Sequence, residues 1–336
     1  MTKTKQSRVF ITGDTHCPYD IHKLNSKCFP VGKTLNKNDI VIICGDAGFV
    51  FGGDKQDKWW INWISKKPWT TVYVDGNHEN HPLLNSYPEV DFYGAKANKI
   101  TDSLYHIKRG EIMEINDEKY FCFGGAFSHD IEYRIENVSW WQDELPVQEE
   151  VDNAIDNLQK YHNQVDYIIS HDVPTSINMR LGYNTPRMSY YTPGKYIHLC
   201  NFLQNILETV SFKAWFAGHY HRDELIGDVL ILYQDIVEIN KQLNPKTNEW
   251  SYYEKLDDGI NEIRSRRYTK EELIELFRQD DLYMTYSKID TFDHFSSGEN
   301  ITPAIAFFDV ETTDEELEAL SNLYNQYLIK KATRED

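Results

Sequence analysis

Ile40-Val41-Ile42-Ile43-Cys44-Gly45-Asp46 sets five consecutive apolar residues directly against a Gly-Asp pair. Four of the five are β-branched, and with no polar position between them the run reads as a strand buried on both faces. The glycine and aspartate then place a charged group at the strand's carboxyl end. The same arrangement recurs along the chain: Val9-Phe10-Ile11 before Gly13-Asp14, Val72-Tyr73-Val74 before Gly76-Asn77-His78, Tyr167-Ile168-Ile169 before His171, and Ala214-Trp215-Phe216-Ala217 before Gly218-His219. Helical patterns at about 55–65, 147–161 and 196–209 separate these runs, and 104–124 reads as short antiparallel strands. Alternating strands and helices with polar strand ends predict a layered α/β domain whose site lies beyond the carboxyl ends of its strands.

The chain has 336 residues, with 35 Lys+Arg against 53 Asp+Glu and a formal charge of −18. Such acidity opposes binding to duplex nucleic acid or to an anionic membrane, which relies on basic side chains meeting phosphates. The excess is uneven: residues 1–240 carry 23 basic and 32 acidic groups, and residues 241–336 carry 12 and 21. The turn cluster Asn244-Pro245-Lys246-Thr247-Asn248 marks the boundary, giving one domain over 1–240 and an acidic C-terminal appendage over 241–336. Two helices are expected in the appendage, each opened by a capping box, Thr269 with Glu272 and Thr313 with Glu316. Leu317, Leu320, Tyr324, Tyr327 and Leu328 form an apolar face on the second. The appendage is a candidate surface for a protein partner or for self-association. No apolar run reaches a membrane span, and Met1 to Arg8 is polar, so a soluble, cytoplasmic protein is expected. The five cysteines are odd in number and widely spaced, which suggests neither a disulfide framework nor a zinc knuckle.

Five of the twelve histidines (His16, His78, His171, His219 and His221) sit at the strand ends, with Asp14, Asp46 and Asn77. Carboxylates and imidazoles converging on one sheet edge are stabilised chiefly by bound cations. In order the blocks read Gly13-Asp14-Thr15-His16, Gly45-Asp46-Ala47-Gly48, Gly76-Asn77-His78-Glu79, Ser170-His171-Asp172 and Gly218-His219-Tyr220-His221. This series resembles the calcineurin-like metallophosphoesterase superfamily, matching all five of its motif blocks in sequence order across residues 8–221.

The resemblance implies a four-layer α/β/β/α sandwich with two divalent metal ions at the edge of its sheets. Carried over block by block, Asp14, His16 and His221 hold the first ion, Asn77, His171 and His219 the second, and Asp46 bridges them. His78 faces the substrate as general acid or charge stabiliser. Mixed nitrogen and oxygen ligands suit Mn, and also Fe, Zn, Ni or Co, better than Ca or Mg alone. The implied reaction is hydrolysis of a phosphomonoester or phosphodiester by attack of metal-bridging hydroxide. Asp75, Glu79 and Asp172 flank the motifs and are expected to orient histidines by accepting hydrogen bonds.

Departures from the family pattern narrow the class. The second block lacks the Asp-Arg extension of the protein Ser/Thr phosphatases, and Phe49 stands where purple acid phosphatases place a metal-binding tyrosine. Cys17 replaces the usual glycine after the first-block histidine, and reads as a small buried residue beside the metals. Substrate contacts are sought in two loops. Residues 125–146 carry Ser128, Asp130, Arg134, Trp140 and Trp141, and residues 173–195 carry Arg180, Tyr183, Arg187, Tyr190 and Tyr191. Arg134, Arg180 and Arg187 are the candidate phosphate-binding arginines, while the aromatics either line a substrate groove or pack the loops. Gly32-Lys33-Thr34 resembles the end of a P-loop but lacks its earlier glycine and a preceding strand, and Trp59, Trp60 and Trp63 read as a helix core face. Missing arginine and acidic surface together favour a small phosphoester or nucleotide. A phosphoprotein phosphatase or nuclease on the same fold, and a non-catalytic metal-stabilised binding protein, stand as alternatives.

Overall fold

In the computed structural model the described residues are 6–183 and 188–239, together with Thr269, Glu272, Leu273, Ser321 and three short strands beyond 280. The chain divides into two units, residues 1–241 and 242–336.

The first unit is an α/β sandwich of two mixed sheets. One contains β1 (Val9–Thr12), β2 (Ile40–Ile43), β3 (Thr70–Tyr73), β4 (Glu89–Phe92), β5 (Ala95–Thr101), β6 (Leu104–Ile107) and β13 (Ile236–Glu238), in the order β13-β1-β2-β3-β6-β5-β4. The other contains β7 (Glu111–Ile115), β8 (Glu118–Phe123), β9 (Tyr167–Ser170), β10 (Ala214–Ala217), β11 (Glu224–Ile226) and β12 (Val229–Ile231), in the order β11-β12-β10-β9-β8-β7. In the first sheet β1, β2, β3 and β6 run parallel, and in the second β8, β9, β10 and β12 do.

Every residue of β1, β2, β3 and β9 is buried, so both faces of each sheet are covered. On the first sheet Phe10, Val41, Ile43 and Tyr73 pack with Ile64 of helix α1 (Lys55–Ser65) and Leu84 of helix α2 (His81–Leu84). On the second, Phe121, Phe123, Ile168 and Trp215 pack with α3 (Gln148–Lys160), α4 (Thr175–Arg180) and α5 (Leu199–Thr209). The alternate residues, Ile11, Ile40, Ile42 and Val72 on one sheet and Tyr120, Cys122, Ile169 and Phe216 on the other, are almost fully buried on the remaining faces. Those two faces form the middle of the sandwich.

The three expected helices form within a few residues of their sequence bounds. Asp54 caps α1 by accepting from the Gln56 and Asp57 amides, at 2.8 and 3.1 Å. Of its tryptophans, Trp60 and Trp63 pack on the core but Trp59 is 56% exposed, because it projects away from the helix face turned to the sheet. The 104–124 stretch does form short strands with antiparallel partners, β6 with β5 and β7 with β8, but they fall in different sheets, and β6 also lies parallel to β3 in the first. Since β8 is also parallel to β9, its carboxyl end points the same way as those of the motif strands. Gly32-Lys33-Thr34 lies in a short 3-10 helix, not in a phosphate loop.

In the second unit the Thr269–Glu272 capping box is formed reciprocally, at 2.8 and 3.2 Å. Strands β14 (Tyr283–Tyr286), β15 (Phe292–Phe295) and β16 (Ile301–Pro303) make an antiparallel sheet with β14 central, which the two-helix expectation did not include. The Thr313–Glu316 box and the apolar face from Leu317 to Leu328 lie outside the described residues. Among the described residues no helix is long and apolar enough to cross a membrane.

Candidate metal centre

The carboxyl ends of β1, β2, β3, β9 and β10 bring the five motif blocks to one edge of the sandwich. Backbone conformation there is unusual for ordinary residues. His16, Asp46, His219 and His221 all have positive φ, at 31°, 48°, 72° and 49°. Each left-handed residue costs about 1–3 kcal/mol and persists only where surrounding contacts enforce it. Gly45 has φ 85°, and a Cβ there would lie 2.3 Å from His171 Nδ1, so only glycine lets that imidazole close on the second block.

Ligand-capable atoms gather in three overlapping clusters, Asp14/His16/His221, His16/Asp46/His78 and Asp46/His171/His219, each with its atoms within 4.8 Å of one another. Asp46 and His16 each belong to two of them. Asp46 Oδ2 is 3.2 Å from His16 Nε2 and 3.3 Å from His171 Nε2, and Asp14 Oδ2 is 3.2 Å from His221 Nε2. The aspartates are held by backbone amides, His78 N–H on Asp46 Oδ1 at 2.8 Å and His219 N–H on Asp14 Oδ1 at 2.9 Å.

The second nitrogen of several rings is already engaged, which fixes the nitrogen left for the cluster. His171 Nδ1 donates to the Cys44 carbonyl at 2.6 Å, and His16 Nδ1 to Asp20 at 2.9 Å. His219 Nε2 is 3.0 Å from His129 Nε2, which leaves His219 Nδ1. Asn77 Nδ2 donates to Ser128 Oγ at 3.2 Å, so the amide oxygen faces the other way. Asn77 Oδ1 and His171 Nε2 are both buried without a hydrogen-bond partner, the latter beside Asp46 but out of line for a hydrogen bond. An unsatisfied buried acceptor such as Asn77 Oδ1 costs about 1–3 kcal/mol, and a cation would remove that cost while taking the place of a proton at His171 Nε2.

Electrostatics agree with this fit. Burial pushes the His171 pKa down, but the Asp46 and Asp14 charges outweigh it and raise it to about 10. For His16, burial is likewise overcome, by the hydrogen bond and charge of Asp46, giving about 9. Burial works against the Asp46 carboxylate too, yet the neighbouring His171 and His78 hold it well below the ordinary range. Without metal this site draws protons onto its rings; divalent cations supply the same charge and displace them. His219, by contrast, is kept neutral by burial and by the nearby His171 and His129.

His78 sits at the rim with its side chain 39% exposed, Nε2 4.0 Å from Asp46 Oδ2. Arg134 reaches it from the 125–146 loop, with Nη2 2.8 Å from His78 Nε2. Arg134 Nε also pairs with Asp130 at 2.7 Å. Of the other candidate arginines, Arg180 is exposed at the end of α4 near Gly227, and Arg187 lies outside the described residues. The loop aromatics divide: Trp140, Trp141 and Tyr191 are buried, whereas Tyr183 stacks on His129 with centroids 5.2 Å apart. Cys17 is only half-buried, not buried as expected, and is in none of the clusters; burial followed by the Asp57 charge raises its thiol pKa, so it stays protonated.

The flanking carboxylates do not orient the cluster histidines as expected. Glu79 accepts from the Ala47 and Gly76 amides at 2.7 and 2.6 Å, tying the second block to the third. Asp75 pairs with Arg109 and His106, and Asp172 accepts from the Tyr220 hydroxyl at 2.6 Å. Orientation comes instead from Asp20, the Cys44 carbonyl, His129 and Ser128. The last two follow β8, whose role as a sixth contributing strand the sequence reading missed; the Gly124-Gly125 pair after an apolar run was the available signal.

The chain belongs to the calcineurin-like phosphoesterase family, whose model matches residues 7–223. That class comprises metallophosphoesterases, hydrolases that typically bind divalent metals. None of the curated proteins matches the chain.

Proposed function

We propose that this chain is a dinuclear-metal phosphoesterase acting on a small phosphomonoester or phosphodiester, with nucleotides favoured. The observation that carries the reading is the pair of buried polar atoms without hydrogen-bond partners, Asn77 Oδ1 and His171 Nε2, in a cluster set that shares Asp46. Asp14, His16 and His221 would hold one cation, Asn77, His171 and His219 the other, with Asp46 between them. When bound, two such cations polarise the phosphoryl oxygens and activate a water for in-line displacement. The protein's own part is to position and to move a proton. Arg134 stands where an incoming phosphate would meet it, and supplies the guanidinium grip that the second block lacks. Arginine is always a donor, so His78 Nε2 accepts from it and is unprotonated; a phosphate that takes over the Arg134 contact frees Nε2 to take a proton from solvent and pass it to the leaving oxygen.

We assign this chemistry to residues 1–240, with 241–336 as a separate unit available to a partner or a second copy. Phosphate release from p-nitrophenyl phosphate and bis(p-nitrophenyl) phosphate with Mn, Ni or Zn tests the reading, followed by mononucleotides and cyclic nucleotides. Two bound ions per chain with no turnover of any of these would overturn it.

A further inference from the structure

We propose that Glu144 is a positioning residue that fixes, through Ser128, which end of the Asn77 amide faces the cation site. The inference rests on Asn77 being a ligand of the second cation. The two ends of a side-chain amide are nearly the same shape but opposite in polarity, and only the oxygen can bind a cation. Something must therefore hold the amide the right way round.

A relay of hydrogen bonds does so. Glu144 is fully buried, and when ionised its carboxylate can only accept. It takes the Ser128 N–H on Oε1 at 2.9 Å and the Ser128 hydroxyl on Oε2 at 2.7 Å. The Tyr191 hydroxyl also donates to Oε1. Having given its one proton to Glu144, Ser128 Oγ can only accept from Asn77, so Nδ2 turns to it and Oδ1 is left without a partner. The frame around the relay closes on itself. Arg109 donates to the Asp143 and Glu144 carbonyls and pairs with Asp75, two residues before Asn77, while Gly125 N–H meets the Asp75 carbonyl at 2.8 Å.

Glu144→Gln reverses the polarity with little change of shape. The Ser128 N–H still requires an acceptor, so the substituted side chain turns its oxygen there and its NH2 to Ser128 Oγ. Ser128 then donates its proton to Asn77 and favours the flipped amide. At pH 8, above the Glu144 pKa of about 7, Mn binding is measured by equilibrium dialysis with elemental analysis. The expected result is a rise of about 10- to 100-fold in the Kd of one of the two ions, the usual scale for losing a group that orients a ligand, with the other unchanged. Ser128→Ala weakens the same ion, and adding E144Q to it causes no further loss. In N77D/E144Q the reversed relay suits a carboxylate, and tight binding of the second ion returns, which a purely structural role for Glu144 would not give. Unchanged binding in E144Q or in S128A overturns the proposal. If N77A keeps both ions at wild-type affinity, the assignment of Asn77 as a ligand fails instead.

Discussion

Replacing Arg134 by alanine isolates the phosphate grip. Its side chain is 10% exposed, with Nη2 2.8 Å from His78 Nε2 and Nε 2.7 Å from Asp130. A hydrogen bond to a charged group contributes about 1.5–3 kcal/mol, and every 1.4 kcal/mol is about tenfold in rate. Losing one such contact to the phosphoryl group should lower kcat/KM by about 10- to 150-fold. Stability should move far less, because Asp130 is 53% exposed and solvent-exposed ion pairs contribute about 0–1 kcal/mol. Arg134→Lys keeps the charge but not the fork, and should fall between the two. The assay is initial rates on p-nitrophenyl phosphate with saturating Mn, alongside metal content and Tm. A kcat/KM within about threefold of wild type in R134A, with both ions bound, would refute the argument that Arg134 replaces the missing second-block arginine.

His78→Ala should retain both ions and lose about 100-fold in turnover; elemental analysis showing metal loss would make His78 a ligand instead. Asp46→Asn should weaken both ions together, since Asp46 lies within 3.3 Å of His16 and His171 in separate clusters, and retention of two ions with normal activity would contradict its bridging place. Burial raises the Glu144 pKa to about 7 from an ordinary 4.5, so its contribution to stability is complete below pH 4.5 and is lost as pH rises through 7. Chemical denaturation of the metal-free protein should therefore show wild type losing stability relative to E144Q between pH 5 and pH 8, and parallel pH profiles would contradict that shift.

The candidate centre was legible in the sequence to the extent that strands buried on both faces write themselves as apolar runs. Such a run leaves its terminal polar residue in an unambiguous place, which is why Asp14, Asp46, Asn77, His171 and His219 could be assigned to one edge before any coordinates. The 104–124 stretch was legible as short antiparallel strands but not as parts of two sheets, because alternation reveals a strand but not its neighbours. Nothing local distinguishes β6, which pairs with β3, from β8, which pairs with β9. Arg134 could be named as a candidate from residue type alone, but its choice over Arg180 depended on where a loop returns.

Residue type and spacing thus determined the class of chemistry, because carboxylates and imidazoles at strand ends imply cations whatever the detailed packing. Only the tertiary structure decided how those groups are held. The partners of His16, His171, His219 and Asn77 are Asp20, a carbonyl, His129 and Ser128, supplied by the first-block turn, a neighbouring strand end and the segment after β8. Hydrogen-bond polarity passes between chain segments as distant as Asn77 and Glu144, and a linear pattern carries no information about contacts of that separation.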